Sequence, residues 1–285
     1  MISLRATASP ENVLQNLKHL HNQLLNLPGG GGDTPTAWRA GYFRWTNDAS
    51  DLLRTQLRQT ELDHLVTSRR YWALLSMSAL GMDSEVDRNL RSVIQTEVQE
   101  RIAAFDGAIK ALEQELKAWH ALAAPVAAVL DTNVLHEHHA ELASFPWNEE
   151  LDVRPSRDLL LLVPIAVIGE LDRQKLNNQK ASNGNTPLRT RARAVLKTLD
   201  EVLDVDRTVQ LAHRAVMENR SAVHIRLLSN ELDHTALDDH DSEIIDRALT
   251  LRPFAQDLRL VTYDFAMAFR ARHFGLEATR LSYVR

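Results

Sequence analysis

Four acidic residues in the second half of the chain are placed where parallel β-sheets carry functional groups. They are Asp131, Glu170, Asp241 and Asp264. Asp131 ends one short apolar run and Asp264 lies just past another, while Glu170 lies about one turn into a predicted helix and Asp241 begins a further one. Carboxylates gathered in one place repel each other unless they are protonated or bound to a cation. Because all four offer hard oxygen ligands, the metal indicated is Mg²⁺ or Mn²⁺.

Each of these acids also has a simpler interpretation. Asp131, Asp241 and Asp264 are placed to cap the helices that follow them, and Glu170 alone is typical of a solvent-exposed helix residue. We prefer the metal site because four such placements coincide after strands. The third acid has close neighbours, so Asp239 and Glu243 are kept as reserves for the role of Asp241.

The apolar pattern that positions these acids begins at Ala124-Pro125. From there, short apolar runs alternate with helical patterns, which predicts an α/β fold with a parallel sheet covered on both faces. Functional groups in such sheets gather beyond the carboxyl ends of the strands, at a switch in strand order. The predicted strands are 126–130, 159–163, 208–211, 223–227, 258–261 and 279–284, and the predicted helices are 133–142, 165–176, 187–203, 241–251 and 265–273.

The preceding residues, 1–124, are predicted to be helical throughout. Ser9-Pro10-Glu11 is a typical helix start, and further helices are predicted at 36–59 and 61–77. A long final helix carries a narrow apolar stripe that needs neighbouring helices, which indicates a bundle or hairpin. We therefore predict two domains, 1–124 and 125–285, and regard the helical domain as a candidate for binding a protein partner or for self-association.

Composition excludes several classes of protein. The chain of 285 residues has no cysteine, which excludes disulfide scaffolds, thiolate zinc sites and cysteine nucleophiles. Its net charge of −5 excludes a globally basic nucleic-acid-binding surface but allows a local basic strip. No segment reaches the roughly 18 consecutive apolar residues of a membrane helix, and the first residues do not form a signal peptide, so we expect no membrane association and a cytoplasmic location.

Taken together, the motifs resemble those of the PIN-domain nucleases. The segments that carry the resemblance are Leu130-Asp131-Thr132-Asn133-Val134-Leu135, Glu170-Leu171-Asp172, Asp241 with Ile244 and Ala248, and Val261-Thr262 with Asp264. The resemblance covers about residues 126–285. It implies a compact α/β/α sandwich with a central parallel sheet, and Mg²⁺- or Mn²⁺-dependent hydrolysis of phosphodiesters, most often in RNA.

The same resemblance implies roles for individual residues. Asp131, Glu170, Asp241 and Asp264 would be the catalytic, metal-binding acids, Thr262 would support the site through its hydroxyl, and Asn133 would contribute in a secondary way. The segment that follows Glu170 is similar to the larger PIN branch related to RNA-decay endonucleases, rather than to short toxin chains. His136, His138 and His139 suggest a zinc site, but we expect them on the exposed face of the helix after Asp131.

A basic segment follows Glu170 and suits a polyanionic substrate. It includes Lys175, Arg189, Arg191 and Arg193, and no acidic residue occurs from Lys180 to Lys197. We expect these side chains to bind phosphates of a nucleic acid, RNA rather than DNA. The alternative is a solvated helix face.

These observations favour a metal-dependent endoribonuclease that cuts single-stranded RNA, with a DNA-directed nuclease as an alternative. A phosphatase of the haloacid-dehalogenase type is disfavoured, because that family needs a second aspartate where Asn133 stands. A PIN-fold binding or scaffold protein with weak or no activity is the remaining alternative, and the complete set of acids argues against it.

Overall fold

The structure is a computed structural model that describes residues 2–27, 34–77, 84–122, 125–154, 156–176, 187–205, 207–212, 222–230 and 234–282. The chain divides into two compact units, Met1–Lys117 and Ala118–Arg285. The first unit is helical and the second is built on a β-sheet. Separate folding of 1–124 and 125–285 stays a prediction.

The helical unit begins as its capping residues predict. Its helices are α1 (Pro10–Asn26), α2 (Pro35–Leu53), α3 (Gln59–Leu65), α4 (Arg69–Met77) and α5 (Ser84–His120). The Ser9 hydroxyl caps α1 by accepting a hydrogen bond from the backbone N–H of Asn12. The predicted helix 36–59 is too long, because the chain leaves the helix after Leu53 and Leu57 forms an isolated bridge with Leu4. The predicted helical stretch 61–77 is two helices, α3 and α4.

The interior of the helical unit combines aromatic packing with one buried carboxylate. Trp45 packs edge-on against Phe105, with 5.6 Å between the ring centroids. Glu97 is fully buried and accepts hydrogen bonds from the hydroxyls of Tyr42, at 3.0 Å, and Ser68, at 2.7 Å. The apolar stripe of α5 supplies much of this core, in agreement with its spacing; its buried members in this unit are Leu90, Ile94, Val98, Phe105, Leu112 and Leu116.

A six-stranded sheet forms the second unit. Its elements are β1 (Val126–Leu130), α6 (Thr132–His138), α7 (Trp147–Glu150), β2 (Leu159–Pro164), α8 (Ile165–Gln174), α9 (Leu188–Val202), β3 (Val209–Ala212), β4 (Val223–Leu228), α10 (His240–Leu249), β5 (Asp257–Thr262), α11 (Phe265–His273) and β6 (Glu277–Arg280). The strand order is β3-β4-β2-β1-β5-β6. All neighbouring strands are parallel except β3, which runs antiparallel to β4 at one edge.

The central strands are apolar because both of their faces are covered. Every residue of β1 and of β2 is buried, as expected for parallel strands between two layers of helices. The sheet with its flanking helices confirms the predicted α/β/α sandwich preceded by an all-α region.

The strand order reverses at β1. The chain continues from β1 to β2 on one side, and later returns to β5 on the other side of β1. Parallel pairing places Leu130 beside Val261, so that β1 and β5 end side by side. A crevice at such a switch point is the usual place for a functional site in an open α/β sheet.

Trp119 is part of the core of the second unit, although it precedes the predicted boundary. It is 6% exposed and stacks on Phe254, with 6.5 Å between the ring centroids. We therefore predict that residues 118–285 form a soluble, folded fragment, and that the shorter fragment 125–285 is less stable by about 3–5 kcal/mol because it lacks this buried ring.

Urea unfolding followed by circular dichroism measures the difference between the two fragments. Equal stability would show that Trp119 adds nothing to the second unit. Insolubility of both fragments, with a well-folded full-length chain, would show that the two units depend on a shared core.

Candidate active site

Asp131 is a buried carboxylate at the end of β1. Its side chain is 4% exposed. The Thr262 hydroxyl donates a hydrogen bond of 2.7 Å to Asp131 Oδ2, and Asn133 Nδ2 lies 3.4 Å from the same oxygen. Burial raises the pKa of Asp131 to about 6, although the hydrogen bond from Thr262 opposes the rise, and the charges of Asp241 and Glu170 add to it. No cationic side chain among the described residues pairs with this carboxylate.

Thr262 links two of the acids. It is the last residue of β5 and is fully buried. While its hydroxyl donates to Asp131, its Oγ1 accepts a 2.9 Å hydrogen bond from the backbone N–H of Asp264. The role expected of Thr262, support through its hydroxyl, therefore has a matching geometry.

Glu170 lies on α8 within a dense set of hydrogen bonds. The Thr132 hydroxyl donates to Glu170 Oε2, Gln174 Nε2 donates to Oε1 at 2.9 Å, and His240 Nε2 lies 2.8 Å from Oε2. Burial opposes the charge on Glu170, but the contacts with His240 and Thr132 outweigh burial and lower its pKa. The interaction with Glu170 in turn raises the pKa of His240. Glu170 is therefore held as a charged carboxylate.

Asp241 and Asp264 lie at the first turns of α10 and α11. Burial raises the pKa of Asp241, and the negative charge of Asp239 adds to the rise. Arg270 Nη1 lies 3.8 Å from Asp241 Oδ2. Asp264 caps α11, since its Oδ1 accepts a 3.0 Å hydrogen bond from the backbone N–H of Met267. The capping interpretation thus applies to Asp264, while Asp131 makes no such cap with α6.

The four acids influence one another electrostatically, but their side chains do not form a complete set of metal ligands. The charges of Asp241 and Glu170 act on Asp131, and the charge of Asp264 acts on Asp241. Among the described residues, no three His, Asp or Glu side chains lie together at metal-binding distance. The donor set nevertheless fits a hard divalent cation in its chemistry, because the buried charge of Asp131 lacks compensation and carboxylate oxygens are the ligands such cations prefer.

The two reserve acids have other partners. Asp239 caps α10, accepting a 2.9 Å hydrogen bond from the Ser242 backbone N–H, and also contacts Arg270. Glu243 is almost fully buried and bonds to His234 Nε2, at 2.8 Å, and to the backbone N–H of Leu237, at 2.9 Å. These contacts give Asp239 and Glu243 structural roles and favour Asp241 as the third acid.

The histidines after Asp131 are not all on an exposed face, and that expectation is wrong for His136. This side chain is buried, and its Nε2 lies 2.7 Å from Gln174 Oε1. His138 is half-buried, and its Nε2 lies 2.6 Å from the Tyr263 hydroxyl. Tertiary packing of α6 against α8 and β5 overrides the sequence pattern, and it uses His136 and His138 as hydrogen-bonding residues.

The predicted substrate-binding cations occupy different environments. Lys175 forms an ion pair of 2.5 Å with Asp172, and Arg191 forms one of 2.5 Å with Glu137. Arg189 and Arg193 lie four residues apart on the exposed face of α9. The first part of the predicted basic segment, 177–186, lies outside the described residues. Arg189 and Arg193 therefore present the most accessible charge of the set.

Three residues of the network were not anticipated from the sequence. Thr132, Gln174 and His240 all contact Glu170. Thr132 lies inside the Asp131 motif and Gln174 lies one helical turn after Glu170, so both positions carry a local signal. His240 begins α10, far from Glu170 in the chain, and only the acidic sequence around it could have drawn attention to it.

The family profile described as the PIN domain matches residues 128–282, which is more than half of the chain. The chain belongs to the PIN-domain family.

A solved structure with detectable similarity to this PIN domain is described as a domain of a functionally unknown protein from Methanocaldococcus jannaschii DSM 2661. It shares 18% sequence identity and covers 56% of this chain and 94% of its own, with a TM-score of 0.33. None of the curated proteins compared matches this chain significantly.

The PIN domain is a nuclease-type fold. No helix in the described ranges is both long enough and apolar enough to cross a membrane.

The hydroxyl of Thr262 provides a direct test of this PIN-domain site. We predict that Thr262→Val lowers phosphodiester cleavage by about 10- to 100-fold, because Asp131 loses the donor that orients it. Thr262→Ser keeps the hydroxyl and should retain most of the activity. Steady-state cleavage of a labelled oligonucleotide measures both variants, and a Thr262→Val protein as active as the wild type would contradict the orienting role.

Proposed function

We propose that this protein is an endonuclease that hydrolyses phosphodiester bonds of single-stranded RNA with Mg²⁺ or Mn²⁺. One observation carries the proposal. The buried carboxylate of Asp131 has no cationic partner among the described residues, lies where the strand order of a PIN domain reverses, and feels the charges of two further acids. A protein keeps such an arrangement at a cost in stability, which binding of a cation would offset.

Asp131, Glu170, Asp241 and Asp264 would hold the metal. When bound, the divalent ion supplies Lewis-acid chemistry, lowering the pKa of the attacking water and stabilising the leaving oxygen. The expected products carry 5′-phosphate and 3′-hydroxyl ends.

The remaining residues of the site orient and ionise these ligands. Thr262 fixes the Asp131 carboxylate through its hydroxyl, and Asn133 approaches the same oxygen. Thr132 and His240 keep Glu170 charged. With its ligands ordered in advance, the site loses less conformational entropy when it binds its cation.

Substrate phosphates would be held by the basic residues of α9, with Lys175 nearby in sequence. Arg193 is exposed and forms no ion pair with the described residues, whereas Arg191 ties α9 to Glu137. We therefore assign phosphate binding chiefly to Arg189 and Arg193. The helical unit would contribute protein–protein contacts or self-association.

Cleavage of a substrate panel tests the function. Single-stranded and duplex RNA and DNA are incubated with Mg²⁺, with Mn²⁺ and with a chelator. The expected result is internal cleavage of single-stranded RNA that the chelator abolishes. Preferential cleavage of DNA would establish the DNA-directed alternative, and tight binding without cleavage of any substrate would establish the binding or scaffold alternative.

Asp131→Asn separates the catalytic role from the structural one. We predict that this change lowers cleavage by at least about 100-fold, because metal-site partners outside the ligand set already contribute up to that much. We also predict that stability without metal stays equal or rises. The raised pKa of Asp131 means that its charge disfavours the folded state above that pKa, and asparagine carries no charge. Thermal melts at pH 7 in a chelator, with parallel cleavage assays, measure both effects.

Two further substitutions also replace a carboxylate with an amide, one outside the proposed metal ligands and one at a proposed ligand. Asp239→Asn removes a neighbouring carboxylate but keeps a helix cap, so most activity should remain. Asp264→Asn should lose cleavage with little change in stability, since asparagine can also cap α11. Full activity of Asp131→Asn would remove the nuclease assignment.

The basic face of α9 is tested through salt dependence. We predict that the double variant Arg189→Ala/Arg193→Ala binds single-stranded RNA more weakly, and that the slope of log K against log salt falls by about 1.4, at 0.7 per phosphate contact. Lys18→Ala/Arg54→Ala removes two charges from surface ion pairs of the helical unit and is the matched control. An unchanged slope in the α9 variant would show that Arg189 and Arg193 belong to a solvated helix face and do not bind phosphates.

A further inference from the structure

Two phenylalanine rings on one side of α11 are exposed to solvent. Phe265 begins the helix and Phe269 follows about one turn later, and they are 61% and 64% exposed. The opposite side of α11 is buried through Met267, Ala268 and Ala271. Side chains four residues apart lie on one helix face, so the two rings form a continuous aromatic patch. Such patches mark interaction surfaces.

Each ring has a guanidinium group near it. Arg280 Cζ lies 3.8 Å from the centroid of the Phe265 ring, and Arg272 Cζ lies 5.9 Å from that of Phe269. These are cation–π distances. α11 contains no acidic residue from Phe265 to His273. The neighbouring acid on β6, Glu277, is directed towards Arg259 at 3.7 Å. The patch is therefore aromatic and positively charged.

We propose that Phe265 and Phe269, with Arg280 and Arg272 beside them, are platforms on which successive bases of a single-stranded nucleic acid stack; this rests on the proposed nuclease function. Every base has a π-face that an aromatic ring can bind regardless of sequence, and arginine adds a cation–π contribution. Bases in a duplex are already stacked on their neighbours. The patch therefore selects single strands.

The position of the patch relates it to the acidic site. Phe265 directly follows Asp264 in the chain, and neighbouring Cα atoms are about 3.8 Å apart. A base stacked on Phe265 thus belongs to a nucleotide at or next to the proposed cleavage position. Phe269, about 6 Å further along the helix axis, would receive the next base.

Charge decides between a nucleic acid and an apolar protein partner as the occupant. An apolar helix would cover the rings but would also remove water from Arg272 and Arg280 without offering anions, which is costly. A nucleic acid brings phosphates to the guanidinium groups and π-faces to the rings. The guanidinium groups and the rings then each have a binding partner.

Binding is measured by fluorescence anisotropy with the full-length chain. All proteins carry Asp131→Asn and the buffer contains a chelator, so that cleavage does not occur; the probes are a labelled single-stranded RNA and the corresponding duplex. Phe265→Ala and Phe269→Ala should each weaken single-strand binding by about tenfold and leave duplex binding unchanged. Phe265→Trp should bind as tightly as phenylalanine, whereas Phe265→Leu should behave like Phe265→Ala because it keeps apolar area but loses the π-face.

Phe274→Ala is the matched control, since it removes another exposed phenylalanine outside the pair. Full binding by Phe265→Leu, or unchanged binding by both alanine variants, would overturn the proposal. A dimer in light scattering that the alanine variants convert to a monomer, with unchanged RNA affinity, would show a self-association surface instead. Binding is measured without catalysis, so the two proposals can fail separately. If the alanine variants weaken single-strand binding but the wild-type protein cleaves no substrate, only the nuclease function is refuted. If the wild-type protein cleaves RNA but the alanine variants bind it as tightly as the protein with both rings, only the platform is refuted.

Discussion

The pairing of β1 with β5 is the constraint on which the site depends. Leu130 lies beside Val261, and the backbone N–H of Asp131 donates to the Val261 carbonyl at 3.1 Å. The two strands therefore end together, and the Thr262 hydroxyl reaches the Asp131 carboxylate. A slip of one residue in this register would turn Thr262 to the opposite face of the sheet. Asp131 would then be a buried carboxylate without its strongest donor, so the sheet itself fixes the geometry of the site.

The acids around Asp131 and Thr262 are not equivalent, because their environments shift their pKa values in different directions. Burial raises the pKa of Asp131 and of Asp241, whereas contacts with His240 and Thr132 outweigh burial and lower the pKa of Glu170. A cation would gain most from the two carboxylates whose charge the protein compensates least. Glu170 already has three partners and would have to exchange some of them to become a ligand. Asp264 holds the N-terminus of α11, which ties this acid to the helix that carries the aromatic patch.

The strands, and the positions of the acids relative to strand ends and helix starts, could be predicted from the sequence because their signals are local. Apolar runs such as 159–163 belong to strands buried on both faces, and capping residues such as Ser9 mark helix starts. Partners set by tertiary packing could not be predicted. The pattern around His136 fits an exposed helix face as well as a buried one, and nothing local distinguishes Glu243, held by His234, from Asp241. The antiparallel pairing of β3 likewise depends on where the chain returns to the sheet edge.

The two proposed nucleic-acid contacts lie on different sides of the acids, and this arrangement follows from the strand order. α11 packs against β5 and β6, while α9 packs against α8 and α6. The end of β1, with Asp131, lies between these two groups of elements. Contacts to phosphates from α9 fix where a strand lies but carry no information about pairing, whereas stacking on α11 requires bases with free faces. A substrate that satisfies both surfaces must cross the acidic site with its bases unpaired on the α11 side. Preference for single strands would then come from α11 and affinity at low salt from α9, so the two properties can change independently of each other.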